Sequence, residues 1–152
     1  MVSLADGAGI EWGIHTRFLQ YLASLSDGAC RIGDGVCTTA VGSFLFPGTA
    51  IEERCNGFVE FSGHSGLLQI WLARPGVEIR DGQPVLVMEM DRAGTRGAIA
   101  DLTRTHEGSR TTTFVSVLRE EAVDVFGRAY PAGEALAPLV LHHQRRLGQI
   151  RS

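Results

Sequence analysis

The side chains with the most chemical capability in this sequence of 152 residues are a few phenols and imidazoles. None of them lies in a Ser-His-Asp elbow, a metalloprotease helix, a glycine-rich phosphate loop or an EF-hand loop. A phenol and an imidazole can move protons as general acid and base, and a phenolate can bind a hard cation. The candidates are the two tyrosines, Tyr21 and Tyr130, and the five histidines, His15, His64, His106, His142 and His143.

Tyr21 lies in a segment whose apolar residues are spaced three and four apart. This spacing predicts an amphipathic helix over 10–25 that ends at Asp27-Gly28, with the Tyr21 ring aimed inward at a sheet. His15 lies six positions earlier, on the opposite side of that helix, so we do not expect it to contact Tyr21. Tyr21 is then either a core tyrosine bonded to a backbone carbonyl or a phenol that faces a ligand. The apolar stripe consists of Ile14, Phe18, Tyr21, Leu22 and Leu25.

His64 lies between two apolar runs that are bounded by glycines. The runs predict strands over 57–63 and 66–73, joined as a hairpin. Alternation along the first strand would place His64 on the more polar face, with Val59 and Phe61 on the other. His64 is then a solvent-exposed turn residue, unless a bulge at Gly63 turns its imidazole toward a pocket.

The remaining histidines and the cysteines offer weaker signals. His142 and His143 would point apart, and Arg145 and Arg146 disfavour a metal there, so we expect a solvated tail. His106 is interpreted as a loop residue with no defined role. Three cysteines without a C-x-x-C pair predict reduced thiols that pack as small hydrophobes. They are Cys30, Cys37 and Cys55.

The fold class follows from short apolar segments separated by glycine or proline turns. The sequence predicts a mainly antiparallel β domain, a sandwich or a half-barrel, with the N-terminal helix and a short C-terminal helix from 118 to 127. Such a curved sheet commonly encloses a small-molecule pocket. We expect one domain over 1–152, with its core over 10–139 and a polar tail over 142–152. Further strands are predicted over 36–46, 84–91, 97–103 and 111–118.

Charge and composition exclude several classes of function. A net charge of -3 gives no general attraction to nucleic acid or anionic membranes. All 14 basic residues are arginine, so lysine Schiff bases, PLP chemistry and a Walker-type loop are excluded. The sequence shows neither a signal peptide nor a membrane span, and we therefore expect a cytoplasmic protein.

Four pieces of sequence occur in a fixed order. They are Trp12-Gly13 with Phe18 and Tyr21, FLFPG at 44–48, GFVEFSGHSGLLQIWLARPGVEI at 57–79, and VLREEAVDVFGRAYPAG at 117–133. In order and spacing these pieces resemble the HtaA domain, the haem-binding module of actinobacterial haem-uptake proteins, from about Ile10 to Leu139. HtaA domains usually belong to exported, anchored proteins, and the predicted lack of an export signal is a departure from that pattern.

The resemblance implies that Tyr21 is the axial ligand of ferric haem, with His64 and Tyr130 at the other pocket positions. A hard ferric ion suits a phenolate, and a nearby imidazole can share the phenolic proton. Arg17, one turn before Tyr21, is either a partner of the haem propionates or an exposed helix residue.

Two functional hypotheses remain, with a third beside them. The first is a haem-binding protein for haem transfer or storage, without turnover. The second is a small intracellular enzyme, a cyclase or isomerase, that uses Tyr21, His64 and Tyr130 for proton transfer on a bulky apolar metabolite. The third is a haem-dependent enzyme, since one tyrosinate ligand leaves the opposite face of the iron open. A homodimer through an apolar strand edge is compatible with each of them.

Overall fold

A computed structural model describes residues 8–48 and 54–143 of the chain. One α-helix, α1, spans Thr16–Ser24, and the strands form a single sheet. The strands are β1 Gly9–Trp12, β2 Ala29–Gly33, β3 Cys37–Thr38, β4 Phe44–Pro47, β5 Phe58–Gly63, β6 Leu68–Arg80, β7 Gln83–Glu89, β8 Arg96–Glu107, β9 Thr111–Leu118 and β10 Leu139–His142.

The sheet is 10-stranded and antiparallel, in the order β2-β5-β6-β7-β8-β9-β10-β1-β4-β3. One continuous curved sheet corresponds to the half-barrel of the two predicted architectures. Strands β2 and β3 form its two edges. The predicted hairpin is present, because β5 pairs with β6 from Phe58↔Ala73 to Gly63↔Leu68.

The inner face of the sheet carries the hydrophobic core. Along β5 the side chains alternate as predicted, with Val59 and Phe61 buried and Glu60 only partly buried. Helix α1 covers this face through Phe18, whose ring lies edge-on to Phe61 at 5.4 Å and to Phe126 at 5.6 Å. Helix α1 is therefore held by its apolar stripe against the core.

The predicted start of the helix is wrong. Residues Gly9–Trp12 form β1, which pairs with both β4 and β10, and α1 begins only at Thr16. Ile10 and Trp12 are fully buried whereas Glu11 is partly exposed, so this segment follows the period of a strand. The chain turns into the helix at Ile14, which adopts a left-handed φ of 64°.

The predicted strand over 36–46 is two strands, β3 and β4. A turn separates them, in which the Thr39 N–H donates to the Ser43 carbonyl at 2.9 Å and the Ser43 N–H donates to Thr39 Oγ1 at 3.1 Å. Strands β2 and β10 were not predicted. Strand β6 continues to Arg80, beyond the predicted end at 73, past an irregularity between Ala73 and Gly76.

The predicted solvated tail is wrong for its first residues. His142 ends β10 and lies 3.1 Å from Glu11 Oε1, whereas His143 lies 2.7 Å from Thr112 Oγ1. The two rings point apart, as predicted, but each has a partner because β10 lies inside the sheet between β9 and β1. The rest of the predicted tail, 144–152, lies outside the described residues.

The predicted C-terminal helix is a 3-10 segment, Glu120–Phe126, which buries Ala122 and Phe126 and ends at Gly127 with a φ of 65°. His106, predicted in a loop, lies in β8 with its side chain exposed. Within the described part of the chain, no helix has the length and hydropathy needed to cross a membrane.

Candidate functional site

Tyr21 and His64 form one hydrogen-bonded pair. Tyr21 comes from α1 and His64 from the tip of the β5–β6 hairpin, and Tyr21 Oη bonds to His64 Nε2. The ring centroids lie 5.8 Å apart. The prediction that the Tyr21 ring points into the core is wrong, since Tyr21 is 45% exposed. Phe18 and Leu22 occupy the buried face of α1, so Tyr21 falls at its edge, beside the hairpin tip.

A left-handed turn, rather than a bulge, directs His64 toward Tyr21. Strand β5 ends at Gly63, and then His64, Ser65 and Gly66 adopt φ values of 51°, 55° and 92°. This turn ends the alternation along β5, so the side chain of His64 is exposed and still has a partner. The carboxylate of Asp27 accepts the backbone N–H groups of His64 and Ser65 at 3.1 and 2.7 Å.

The pair has a defined proton chemistry. If the phenol O–H is the donor in this bond, Nε2 is the acceptor and the neutral imidazole carries its proton on Nδ1. The same Nε2 is placed to receive the proton when a cation draws Tyr21 into its phenolate form. The resulting N–H would donate back to the phenolate oxygen and stabilise its charge.

A second cluster fixes the start of α1. His15 is 3% exposed, and its Nδ1 accepts the N–H of Phe18 at 3.0 Å, so His15 is the N-cap of the helix. Because Nδ1 accepts, Nε2 carries a proton and donates to Glu134 Oε2 at 2.8 Å. Glu134 also accepts from Arg17, whose side chain is 72% exposed.

The sequence offers His15 as a candidate but does not predict its contact with Glu134. They lie 119 positions apart, and histidine is not among the preferred N-cap residues, so no local pattern indicates their contact.

Tyr130 packs against the second cluster. Its ring stacks on His15 with centroids 4.2 Å apart and planes 25° apart, and it is partly buried. Burial raises the pKa of the Tyr130 phenol, the Arg17 guanidinium opposes this, and Glu134 and Tyr21 add to the rise. Of the three predicted site residues, Tyr21 and His64 are in contact, whereas Tyr130 stacks on His15 at the start of α1.

Two grooves lie beside α1, and Tyr21 is not among the lining residues of either groove. The larger, of about 500 Å³, includes Leu19, Ala23, Val41 and Pro138 in its lining. The smaller, of about 400 Å³, lies at the start of α1 and includes His15. Within residues 8–48 and 54–143, no three His, Cys, Asp or Glu side chains cluster as a metal site.

Two of the three cysteines have raised thiol pKa values. Cys55 is fully buried, and burial raises the pKa of its thiol to about 12. Cys30 is exposed on β2, and partial desolvation raises its pKa as well. Neither thiol is in a disulfide, as predicted, although only Cys55 packs as a core residue.

Comparison with known proteins shows the fold in several solved structures. The chain is 20% identical to the C-terminal domain of HtaA from Corynebacterium glutamicum, with a TM-score of 0.73 over 88% of this chain and 93% of that one. It is 23% identical to the heme binding protein HtaB from the same organism, with a TM-score of 0.71 over 88% and 90% of the two chains. For the N-terminal domain of HtaA the values are 18%, 0.67, 90% and 97%.

No curated protein matches the chain in sequence. The model of the protein family described as Htaa matches residues 7–142, which includes both tyrosines, His64 and every strand of the sheet. The chain therefore belongs to the HtaA family.

Proposed function

We propose that this protein binds ferric haem through Tyr21, for haem transfer or storage. The observation that carries the proposal is the partly exposed phenol of Tyr21 hydrogen-bonded to the imidazole of His64. A core tyrosine would be buried and bonded to a backbone carbonyl, whereas this phenol faces solvent with an ionisable partner. Its position suits a ligand that approaches from outside the sheet.

The donor set fits haem. A porphyrin supplies four of the iron ligands, so the protein has to provide only one, and tyrosinate is an established axial ligand. When bound, haem would supply a ferric ion that favours the phenolate form of tyrosine. Apolar surface is available at the same tip, because Leu67 is 90% exposed. An exposed leucine beside an ionisable pair suits a flat, largely apolar cofactor.

His64 can accept the proton that a tyrosine has to lose when it becomes an iron ligand. A free phenol has a pKa of about 10, so at neutral pH its proton must be displaced. His64 Nε2 is already hydrogen-bonded to that phenol, so it can take the proton without rearrangement. Tyr130 stacks on His15 at the start of α1, and we place it as a wall of the ligand site.

Arg17 is placed to meet an anionic group at the edge of the site. It lies one turn before Tyr21 on α1, and Glu134 holds its guanidinium while most of the side chain stays exposed. We assign it to the propionate side of the ligand, where an arginine can add a charge-assisted hydrogen bond.

Family membership supports haem as the ligand, because HtaB, a protein of the same fold, is described as a heme binding protein. The alternative of a haem-free enzyme has less support. Proton transfer on an apolar metabolite favours an enclosed site, whereas both Tyr21 and His64 are exposed.

The test is an absorbance titration of the purified protein with haemin. Wild type should give a saturable Soret band and the charge-transfer bands of high-spin ferric tyrosinate. Tyr21→Phe removes only the phenolic oxygen and should abolish those tyrosinate bands. His64→Ala should retain binding with an altered tyrosinate spectrum.

His106→Ala provides the matched control, because His106 is an exposed histidine on β8 that takes no part in the proposed site. Its titration should superimpose on that of wild type. A Tyr21→Phe protein that binds haemin with the wild-type spectrum would refute Tyr21 as the ligand.

A further inference from the structure

Asp27 links two distant segments of the chain at the site. It follows α1, which carries Tyr21, and its two carboxylate oxygens bond to the tip that carries His64. Oδ1 accepts the His64 N–H at 3.1 Å, and Oδ2 accepts the Ser65 N–H at 2.7 Å. The partners are 37 and 38 positions away in the chain, so these bonds belong to tertiary structure.

The tip needs such support. His64 and Ser65 both have left-handed φ values, 51° and 55°, which cost energy for residues that carry a Cβ. The residues around them give little packing, since Ser65 and Gly66 are exposed and Leu67 is 90% exposed. Two consecutive N–H groups that converge on one carboxylate supply the stabilisation that packing does not.

Asp27 is itself fixed in place. A Cβ on Gly28 would lie 2.1 Å from the Leu22 carbonyl oxygen, so this segment runs tightly against the end of α1. A Cβ on Gly63 would lie 2.9 Å from Leu25 Cδ1, so the end of β5 also approaches this segment closely. The hydrogen bond from the Ser65 N–H is the main cause of a lowered pKa of Asp27, which therefore remains a carboxylate at neutral pH.

We propose that Asp27 is a positioning residue that holds the imidazole of His64 against the phenol of Tyr21. This inference rests on the proposed function, because the pair matters as the haem ligand and its hydrogen-bond partner. Asp27 fixes the distance between α1 and the hairpin tip, so the pair is formed before a ligand arrives. Preorganisation of this kind lowers the cost of binding and slows release.

The first measurement uses the haem-free protein. Hydrogen exchange of the His64 and Ser65 amides, together with the imidazole ¹⁵N shifts of His64, reports whether the tip is held. Asp27→Ala should speed exchange of these amides by roughly tenfold or more and change the His64 shifts. Asp27→Asn keeps one acceptor oxygen in the same place, so it should give an intermediate effect and cover the case in which the alanine variant does not fold.

Asp91→Ala is the matched control. Asp91 is also an exposed aspartate that supports a turn, since its Oδ1 accepts the Thr95 N–H at 3.0 Å, and this bond also lowers its pKa. Its turn joins β7 to β8, whereas the tip with His64 joins β5 to β6. Its loss should leave exchange at the tip unchanged.

The second measurement uses the haem-loaded protein. Asp27→Ala should transfer haem to an excess of a scavenging apo-globin roughly tenfold faster than wild type, with altered tyrosinate bands. The proposal is overturned if the tip amides of Asp27→Ala exchange as slowly as those of wild type. It is also overturned if they exchange faster while haem transfer and the tyrosinate spectrum stay unchanged. The haem-free measurement stands even if wild type fails to bind haemin, so failure of this inference is distinguishable from failure of the proposed function.

Discussion

The N-cap histidine gives the sharpest test of how the site is supported. His15→Ala removes the acceptor for the Phe18 N–H, the hydrogen bond to Glu134 and the stack on Tyr130. Loss of an N-cap costs about 1 kcal/mol, an aromatic stack about 1 kcal/mol and a net hydrogen bond about 1 kcal/mol. The free energy of unfolding should fall by about 3 kcal/mol, a large share of the roughly 5–15 kcal/mol typical of a domain.

The assay is urea unfolding of the haem-free protein, followed by far-ultraviolet circular dichroism. His15→Asn supplies a carbonyl oxygen that can cap the same N–H, so it should recover about 1 kcal/mol of the loss. His106→Ala, a truncation of an exposed histidine, should stay within about 0.5 kcal/mol of wild type. The reasoning is refuted if His15→Ala is no more destabilising than His106→Ala, or if the asparagine variant is no more stable than the alanine variant.

Two further predictions concern acid pH and thiol reactivity. Hydrogen bonds from His15 and Arg17 lower the pKa of Glu134 below 4.5, so its contribution to stability is present above that pH and is lost as pH falls through the lower folded value. Unfolding curves between about pH 3 and 6 should therefore lose less stability on acidification in Glu134→Gln than in wild type, and parallel curves would contradict this. Cys55, fully buried with a thiol pKa of about 12, should resist iodoacetamide in the folded protein, whereas the exposed Cys30 is alkylated. Peptide mass spectrometry checks this, and modification of Cys55 as fast as that of Cys30 would count against its burial.

Helices and strands were predictable where the apolar residues follow a single period, either that of a helix or that of a strand. Strand β5 alternates cleanly between buried and partly buried residues, and its hairpin with β6 was predicted within a few residues. The start of the helix was wrong because Ile10 and Trp12 fit the helical stripe and also the alternation of a strand. Pairing with β4 and β10 decides between the two periods, and pairing is a property of the whole sheet.

Strand β10 was missed for a similar reason. It is four residues long and adjoins the polar residues from His142 onward, so its composition favours a loop or tail. In the structure it lies between β9 and β1, where every backbone group on both sides has a strand to bond with. The two histidines at its end are then given partners by the neighbouring strands.

The candidate site shows why residue types were predictable while their roles needed the resemblance. Tyr21 and His64 are 43 positions apart, and His15 and Glu134 are 119 apart. Local periodicity can say that a tyrosine is on a helix and a histidine in a turn, but it cannot say which pairs meet. Only the order of strands brings the hairpin tip to α1.

The residues that support the site act differently from the Tyr21–His64 pair. Asp27 and His15 act on backbone N–H groups, one at a left-handed turn and one at a helix start. Both are places where the chain leaves an N–H without a partner in regular structure. His15 bonds to an N–H three positions away, whereas Asp27 bonds to N–H groups 37 and 38 positions away. The position of Tyr21 relative to His64 therefore depends on residues that hold the backbone, and substitutions of Asp27 or His15 should disturb the pair while Tyr21 and His64 themselves stay unchanged.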